Sequence, residues 1–253
     1  MVEDTDAGPT PDADAEIVAG RKPPSARVPL DRDTIVAEAL TFLDEVGPGG
    51  LTMRRLGARL NVEAMSLYRY VPGKEDLLDA IVEHLIRGLY ADPEVLAEPR
   101  DGWQDFLQRL AHGVRRMALR HVKAFPLVAS RPPEAPWLRP PLRSVEVVNT
   151  FLSALTAEGF TDEQAVGAYR SFSSFLLGQL LLQSAVNGAE TGPAEEPLDE
   201  GNAAIPEGDG SISLDVAPEV RRLRALLSED RSEEEFEISL EALLDRLDRE
   251  LSQ

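Results

Sequence analysis

The chain has no cysteine. That excludes disulfides, thiol nucleophiles and cysteine-bound zinc, and it suits a reducing compartment. Histidine is almost as scarce. His84, His112 and His121 are the only three, they fall in separate helical stretches, and none sits in an H-E-x-x-H pattern. No glycine-rich phosphate loop and no G-x-S-x-G turn occurs. The expectation is a protein that is not an enzyme and that holds no metal and no cofactor. Long apolar runs are missing too. A membrane span needs roughly 18 such residues, and the longest run, Phe175 to Leu182, is broken by Gly178 and Gln179. Residues 1–20 carry six acids and no base, the reverse of the basic start of a secretory signal. A soluble, cytoplasmic protein with no membrane partner is expected. Strand-type alternation is also absent, so the fold class expected is all-α.

Base is in deficit, with 26 Lys/Arg against 45 Asp/Glu and a formal net charge of −19. The distribution is more informative than the sum. Residues 21–74 carry nine Lys/Arg and six Asp/Glu, a net of +3, whereas residues 190–215 carry eight acids and no base. One segment is therefore locally basic inside an acidic protein. Such a footprint suits phosphate binding, with a moderate number of contacts and a salt-dependent affinity.

That segment contains LTMRRLGARLNVEAMSLYRYVPGK, Leu51 to Lys74. Thr52 is a good N-cap. Met53, Leu56 and Leu60 make one apolar face at helical spacing, and Arg54, Arg55 and Arg59 fall off it. Asn61 tolerates a left-handed stop. Val62 seats the turn in the core. Ala64 to Tyr70 then form a second short helix with Leu67 and Val71 inward. Ala64, Ser66, Arg69 and Tyr70 are left outside, with Tyr68 near the edge. Two helices joined by a tight turn are the helix-turn-helix arrangement, whose second helix fits a major groove about 12 Å wide. Periodicity alone leaves a generic helical hairpin as the alternative.

The run from Asp31 to Leu89 resembles the DNA-binding region of the tetracycline-repressor family of bacterial transcription regulators. The residues that carry the resemblance are the L-T-x-R-x-L-x-x-x-L core, the L-Y-x-Y-V end of the second helix and the K-x-x-L-L-D-A opening of the next. The resemblance implies a ligand-responsive repressor that binds double-stranded operator DNA as a homodimer. It places DNA contacts at Thr52, Arg54, Ala64, Met65, Ser66, Tyr68, Tyr70 and Lys74, with Arg54 suited to forking onto guanine and Lys74 onto phosphate. Arg55, Arg59 and Arg69 have solvated surface charge as their other reading. The competing reading of the whole chain is a helical interaction protein that does not bind DNA, such as an antirepressor.

The domain reading follows. Residues 1–26 are expected to be a disordered acidic tail and basic arm (Arg21 and Lys22, with Arg27 just after it), 27–74 the helix-turn-helix module, and 75–253 an effector-binding and dimerisation domain with a flexible acidic loop at 188–217. Asp31 should cap the first helix over Ile35, Val36, Ala39, Leu40, Leu43 and Val46, with a stop at residues 47–50. The helix from Lys74 joins the two parts. Asp101 should cap the next. Phe125-Pro126 is expected to interrupt a short helix. Thr161 with Gln164, and Ser232 with Glu235, read as capping boxes. The stripe Phe236, Leu240, Leu243, Leu244, Leu247 and Leu251, with the apolar helix 161–187, suggests a four-helix dimer interface. A two-fold dimer reads half-sites about 34–36 Å apart.

WQDFL, Trp103 to Leu107, also resembles the effector-binding core of tetracycline-repressor relatives. Aligned there, Val128 stands where the histidine that binds the drug's magnesium would be. An alkyl side chain cannot ligate a hard cation, so a magnesium–tetracycline complex is not expected as ligand. The expected pocket is apolar, formed by Leu110, Val114, Met117, Phe125, Val128, Phe172 and Phe175, for a small effector of unknown identity.

Overall fold

The structure, a computed structural model, describes residues 30–93, 95, 101–131, 135, 137–140, 144–190 and 217–252. The acidic tail, the basic arm and most of the 188–217 loop lie outside these residues. Everything described is helix or connection, with no strand among the described residues, as expected for an all-α chain.

Three short-range helices lead. The first, α1 (Arg32–Gly50), starts at Asp31, whose carboxylate accepts from the Thr34 N–H at 2.7 Å. That bond holds the Asp31 carboxyl below its ordinary range. At Gly47 the backbone leaves the helix with φ +76°, a left-handed value that glycine adopts without steric cost, and it re-enters for one last turn. Then come α2 (Met53–Arg59) and α3 (Ala64–Leu67). Asn61 between them has φ 55°, the left-handed stop expected of it. The second helix of the pair is shorter than the expected Ala64 to Tyr70. It ends at Leu67, and residues 68–70 form a turn whose Tyr70 and Val71 N–H groups both bond to the Leu67 carbonyl. Val62 and Leu60 are half-buried rather than core residues, because the turn sits at the rim of the module.

Next, α4 (Lys74–Ala91) buries Leu77, Leu78, Ile81, Leu85 and Leu89. At 1.5 Å per residue it is about 27 Å long, and it packs on α1 on one side and on α5 and α6 on the other. The remaining helices are α5 (Gly102–Arg120), α6 (Phe125–Ser130), α7 (Val145–Ala157), α8 (Asp162–Val186), α9 (Pro218–Leu227) and α10 (Ser232–Leu251). Together α5, α7, α8 and α10 enclose a core rich in aromatic rings. Phe151 lies 5.5 Å from Phe172 and 5.8 Å from Tyr169 between ring centroids, and Phe175 lies 5.6 Å from Phe236.

Several local expectations change. Asp101 stands at the start of α5 but its side chain makes no capping bond. Phe125-Pro126 opens α6 instead of interrupting it, since proline's missing N–H costs nothing in a first turn. The Thr161/Gln164 capping box forms on α8 in both directions. The Ser232/Glu235 box does not form. Ser232 is already helical, Asp230 accepts its N–H at 3.1 Å, and its hydroxyl accepts from Gln183 Nε2 of α8 at 3.0 Å. The last-helix stripe is also placed differently. Phe236, Leu240, Leu244 and Leu247 are buried within their own subunit against α5 and α8, with Leu243 and Leu251 packed at the edge of that core.

Candidate nucleic-acid interface and ligand cavity

Leu67 and Val71 are buried and anchor the ends of the short helix α3 from below. Between and around them Met65 is 72% exposed, Tyr68 43% and Tyr70 39%. Ala64 and Ser66 are half-buried on the same short segment. The Val62 N–H donates to the Gly57 carbonyl at 2.8 Å, which ties the turn to α2. A β-carbon on Gly57 would stand 2.9 Å from the Val62 oxygen, so this glycine allows the two helices their close approach. Thr52 caps α2 by accepting from the Arg55 N–H at 3.2 Å.

The cations of the motif divide into two groups. Arg59 is held by Glu38 and Glu45 of α1, with one of its N–H groups donating to Glu45 at 2.7 Å. The Arg59 hydrogen bond depresses the Glu45 carboxyl, and the two carboxylates raise the guanidinium. Arg55 donates to the Gly50 carbonyl at 2.6 Å, and both guanidiniums lie over the Phe42 ring, at 5.1 and 5.3 Å from its centroid. Phe42 was not among the expected core residues of α1, yet it is buried and forms this platform. It stands seven residues after Ile35 and three after Ala39, so helical spacing puts it at the edge of the same apolar stripe and was the signal that could have found it. Arg54, Arg69 and Lys74, by contrast, have no hydrogen-bond or ion-pair partner among the described residues.

Salt bridges fasten this module to the body. Arg131, at the end of α6, donates to Asp79 at 2.7 Å and to Glu75 at 2.6 Å, both in the first turns of α4. Burial works against the Arg131 charge, but the two carboxylates outweigh it and raise its pKa. His121 Nδ1 meets Asp44 of α1 at 2.7 Å, and Lys123 donates to the Glu45 carbonyl at 2.6 Å. Histidines 112 and 121 are on one helix, within α5 and at its C-cap, not on separate ones.

A cavity opens inside the body between α4, α5, α6, α7 and α8. It encloses about 720 Å³ of empty space, part of it open to solvent. Of the expected pocket residues, Leu110, Val114, Met117, Val128 and Phe172 line it. Phe125 and Phe175 do not: Phe125 is fully buried in the α6 core, and Phe175 turns to Phe236. Ile86, Leu89, Val147, Val148, Phe151, Leu176 and Leu177 complete the apolar wall. The α7 residues were missed because their stripe reads equally as plain core. Three hydroxyl groups interrupt the wall. Ser144 caps α7 by accepting from the Val147 N–H at 3.3 Å, Tyr169 donates to the Pro140 carbonyl at 2.8 Å, and Ser173 is buried beside it. Burial pushes the Tyr169 hydroxyl up to about 12.

Residues 35–81 match the family of bacterial regulatory proteins named for tetR, and residues 96–250 match the tetracyclin repressor-like C-terminal domain. The chain belongs to the TetR family. The tetracycline repressor protein class G of Vibrio anguillarum is 32% identical over 171 residues, 68% of this chain and 77% of that one. A possible TetR family transcriptional regulator from Streptomyces coelicolor A3(2) is 30% identical, with a TM-score of 0.66 over 87% of this chain and 99% of its own. ActR of Streptomyces coelicolor, crystallised in complex with actinorhodin, is 25% identical, with a TM-score of 0.62 over 89% of this chain and all of its own. As a TetR-family member the protein is a ligand-responsive, DNA-binding transcriptional regulator of the repressor kind.

Proposed function

We propose that Thr52, Arg54, Ala64, Met65, Ser66, Tyr68, Tyr70 and Lys74 form the operator-reading surface of a dimeric repressor, and that a small, mainly apolar molecule in the body cavity releases it. The observation that carries the reading is the division of the cations. Arg55 and Arg59 are consumed by α1, while Arg54 and Lys74, beside the exposed side chains of α3, have no partner among the described residues. Such cations next to an exposed, anchored helix suit phosphate and base-edge contacts. Arg69 is an added candidate for phosphate.

A four-residue helix reads few bases, so a twin is needed to supply the second half-site. Because the α10 stripe is spent inside the subunit, the dimer surface must come from other residues. On α8, Leu182 is 72% and Val186 87% exposed, and Ile238 of α10 is exposed as well. Large apolar side chains in that number on two neighbouring helices suit coverage by a second copy.

The effector reading rests on the wall of the cavity. A magnesium complex does not fit it. Val128 offers no donor atom, the Tyr169 hydroxyl is committed to Pro140, and hard cations need several oxygen or imidazole ligands. An apolar molecule with one or two hydrogen-bonding groups fits better. Its binding acts on the operator only through different affinities for the two arrangements of the module.

The test is retardation of the promoter fragment beside the protein's own gene, against unrelated DNA of equal length. Specific retardation, lost on adding an apolar effector found by thermal-shift screening, is the expected result. Equal binding to both fragments, or none, would favour the antirepressor-like alternative. A screen in which only polar metabolites stabilise the protein would overturn the effector reading.

A further inference from the structure

A second cleft lies outside the body cavity, where α1 and α4 of the reading module meet α5. It holds about 930 Å³ of space open to solvent. Leu40, Leu85, Leu89 and Met117 form its apolar side. Its polar side carries two guanidiniums, Arg116 and Arg120, with the imidazoles of His84 and His121 beside them; Asp92 is the one carboxylate in its lining, and Asp44 holds His121 from behind. In a chain with 45 acids and 26 bases that balance is the reverse of what composition alone would put there.

The internal bonds leave much of that polarity free. Arg116 gives one N–H to Asp92 at 3.1 Å, and His121 is held through Nδ1 by Asp44, which leaves Nε2 as its other polar edge. His84 and Arg120 have no hydrogen-bond or ion-pair partner among the described residues. Gly88 also lines the cleft, and a β-carbon there would meet nothing within 4 Å.

We propose that this cleft is a second ligand site, and that it takes a small amphipathic anion: a flat apolar body carrying one carboxylate. The body lies along Leu40, Leu85 and Met117. The carboxylate meets Arg120 and Arg116, since a guanidinium fork matches two carboxylate oxygens. The site is chemically distinct from the apolar cavity, although Leu89 and Met117 form a wall common to both. A molecule held by α1, α4 and α5 together binds best to one mutual placement of those helices, so its occupancy biases the reading module.

The probe is 2-naphthoate, with neutral 2-naphthamide as its uncharged counterpart, titrated into the full-length protein. Calorimetry gives the affinity, and amide NMR shifts at Gly88 and Gly113 give the location. Saturable naphthoate shifts at both glycines are expected, with naphthamide at least tenfold weaker. Arg120→Gln should weaken naphthoate at least tenfold. Gly88→Leu, which fills the opening from an exposed helical position, should abolish binding while keeping the fold. The proposal is overturned if Arg120→Gln binds as wild type does, if no saturable shift appears, or if the shifts fall on Val147 and Ser173 of the body cavity instead. Operator DNA is not used in any arm, so failure here leaves the repressor reading standing.

Discussion

Gly57 offers the sharpest test of how the reading helix is placed. A β-carbon there would lie 2.9 Å from the Val62 carbonyl oxygen and 3.1 Å from the Ala64 nitrogen. Both are backbone atoms, and Val62 is also hydrogen-bonded to Gly57 itself. Neither neighbour can rotate away as a side chain would. Alanine at this position gains about 1 kcal/mol of helix propensity over glycine. Against that gain, a β-carbon under 3.0 Å from a backbone oxygen forces the turn itself to move, an overpacking cost of about 1–3 kcal/mol, so Gly57→Ala should be destabilised by about 1 kcal/mol. Valine keeps less of the propensity gain and adds two methyls toward the same backbone. Overpacking of that kind costs about 1–3 kcal/mol, so Gly57→Val should destabilise by about 2 kcal/mol. The strain falls between α2 and α3, so operator affinity should drop at least tenfold in protein that is still folded. Urea unfolding at one fixed protein concentration measures the first effect, since dimer stability depends on concentration. Fluorescence anisotropy on the promoter fragment measures the second. If Gly57→Val matched wild type in both, the close approach would not be what sets α3, and the reasoning would be wrong.

Four further outcomes are expected. Arg54→Ala should weaken operator binding about ten- to a hundredfold and relax sequence preference at one base position, as loss of a bidentate guanine contact does. Arg59→Ala should instead lower the melting temperature and leave the salt dependence of binding unchanged, because its guanidinium is spent on Glu38 and Glu45. Anisotropy at several salt concentrations separates the two. Phe236→Ala empties a fully buried site against Phe175 and should cost about 3–5 kcal/mol in urea unfolding. An effect under about 1 kcal/mol would place α10 outside the subunit core. Tyr169→Phe should cost about 1 kcal/mol near neutral pH through the lost bond to Pro140. The Tyr169 hydroxyl is pushed up to about 12, so the unfolded chain releases this proton first as pH rises past about 10. The stability due to the raised pKa is present below about pH 10 and is lost toward pH 12. The gap between wild type and Tyr169→Phe should therefore narrow from pH 9 to pH 11, and a constant gap would contradict the cause.

The chain's own sequence determined what is decided within a turn or two of helix. Asp31, Thr52 and the Thr161/Gln164 pair cap their helices because a side-chain oxygen needs only the next three residues to find its N–H. Asn61 stops α2 for an equally local reason. The helix-turn-helix and the all-α class were legible because periodicity and turn chemistry agree over a long stretch. Which partner each face meets was settled only in three dimensions. The α10 stripe looked like a dimer surface and turned out to be core, since a stripe says that a face is covered but not by which chain. Ser232 and Glu235 have the spacing of a capping box, yet α10 begins one residue earlier and Asp230 takes the N–H. Five of the seven expected cavity residues line the cavity, while Phe125 and Phe175 were drawn to other neighbours. Arg54 and Arg59 are alike by position on one short helix. Only the approach of α1, bringing Phe42, Glu38 and Glu45 to Arg59, makes it a structural cation, while Arg54 has no partner among the described residues.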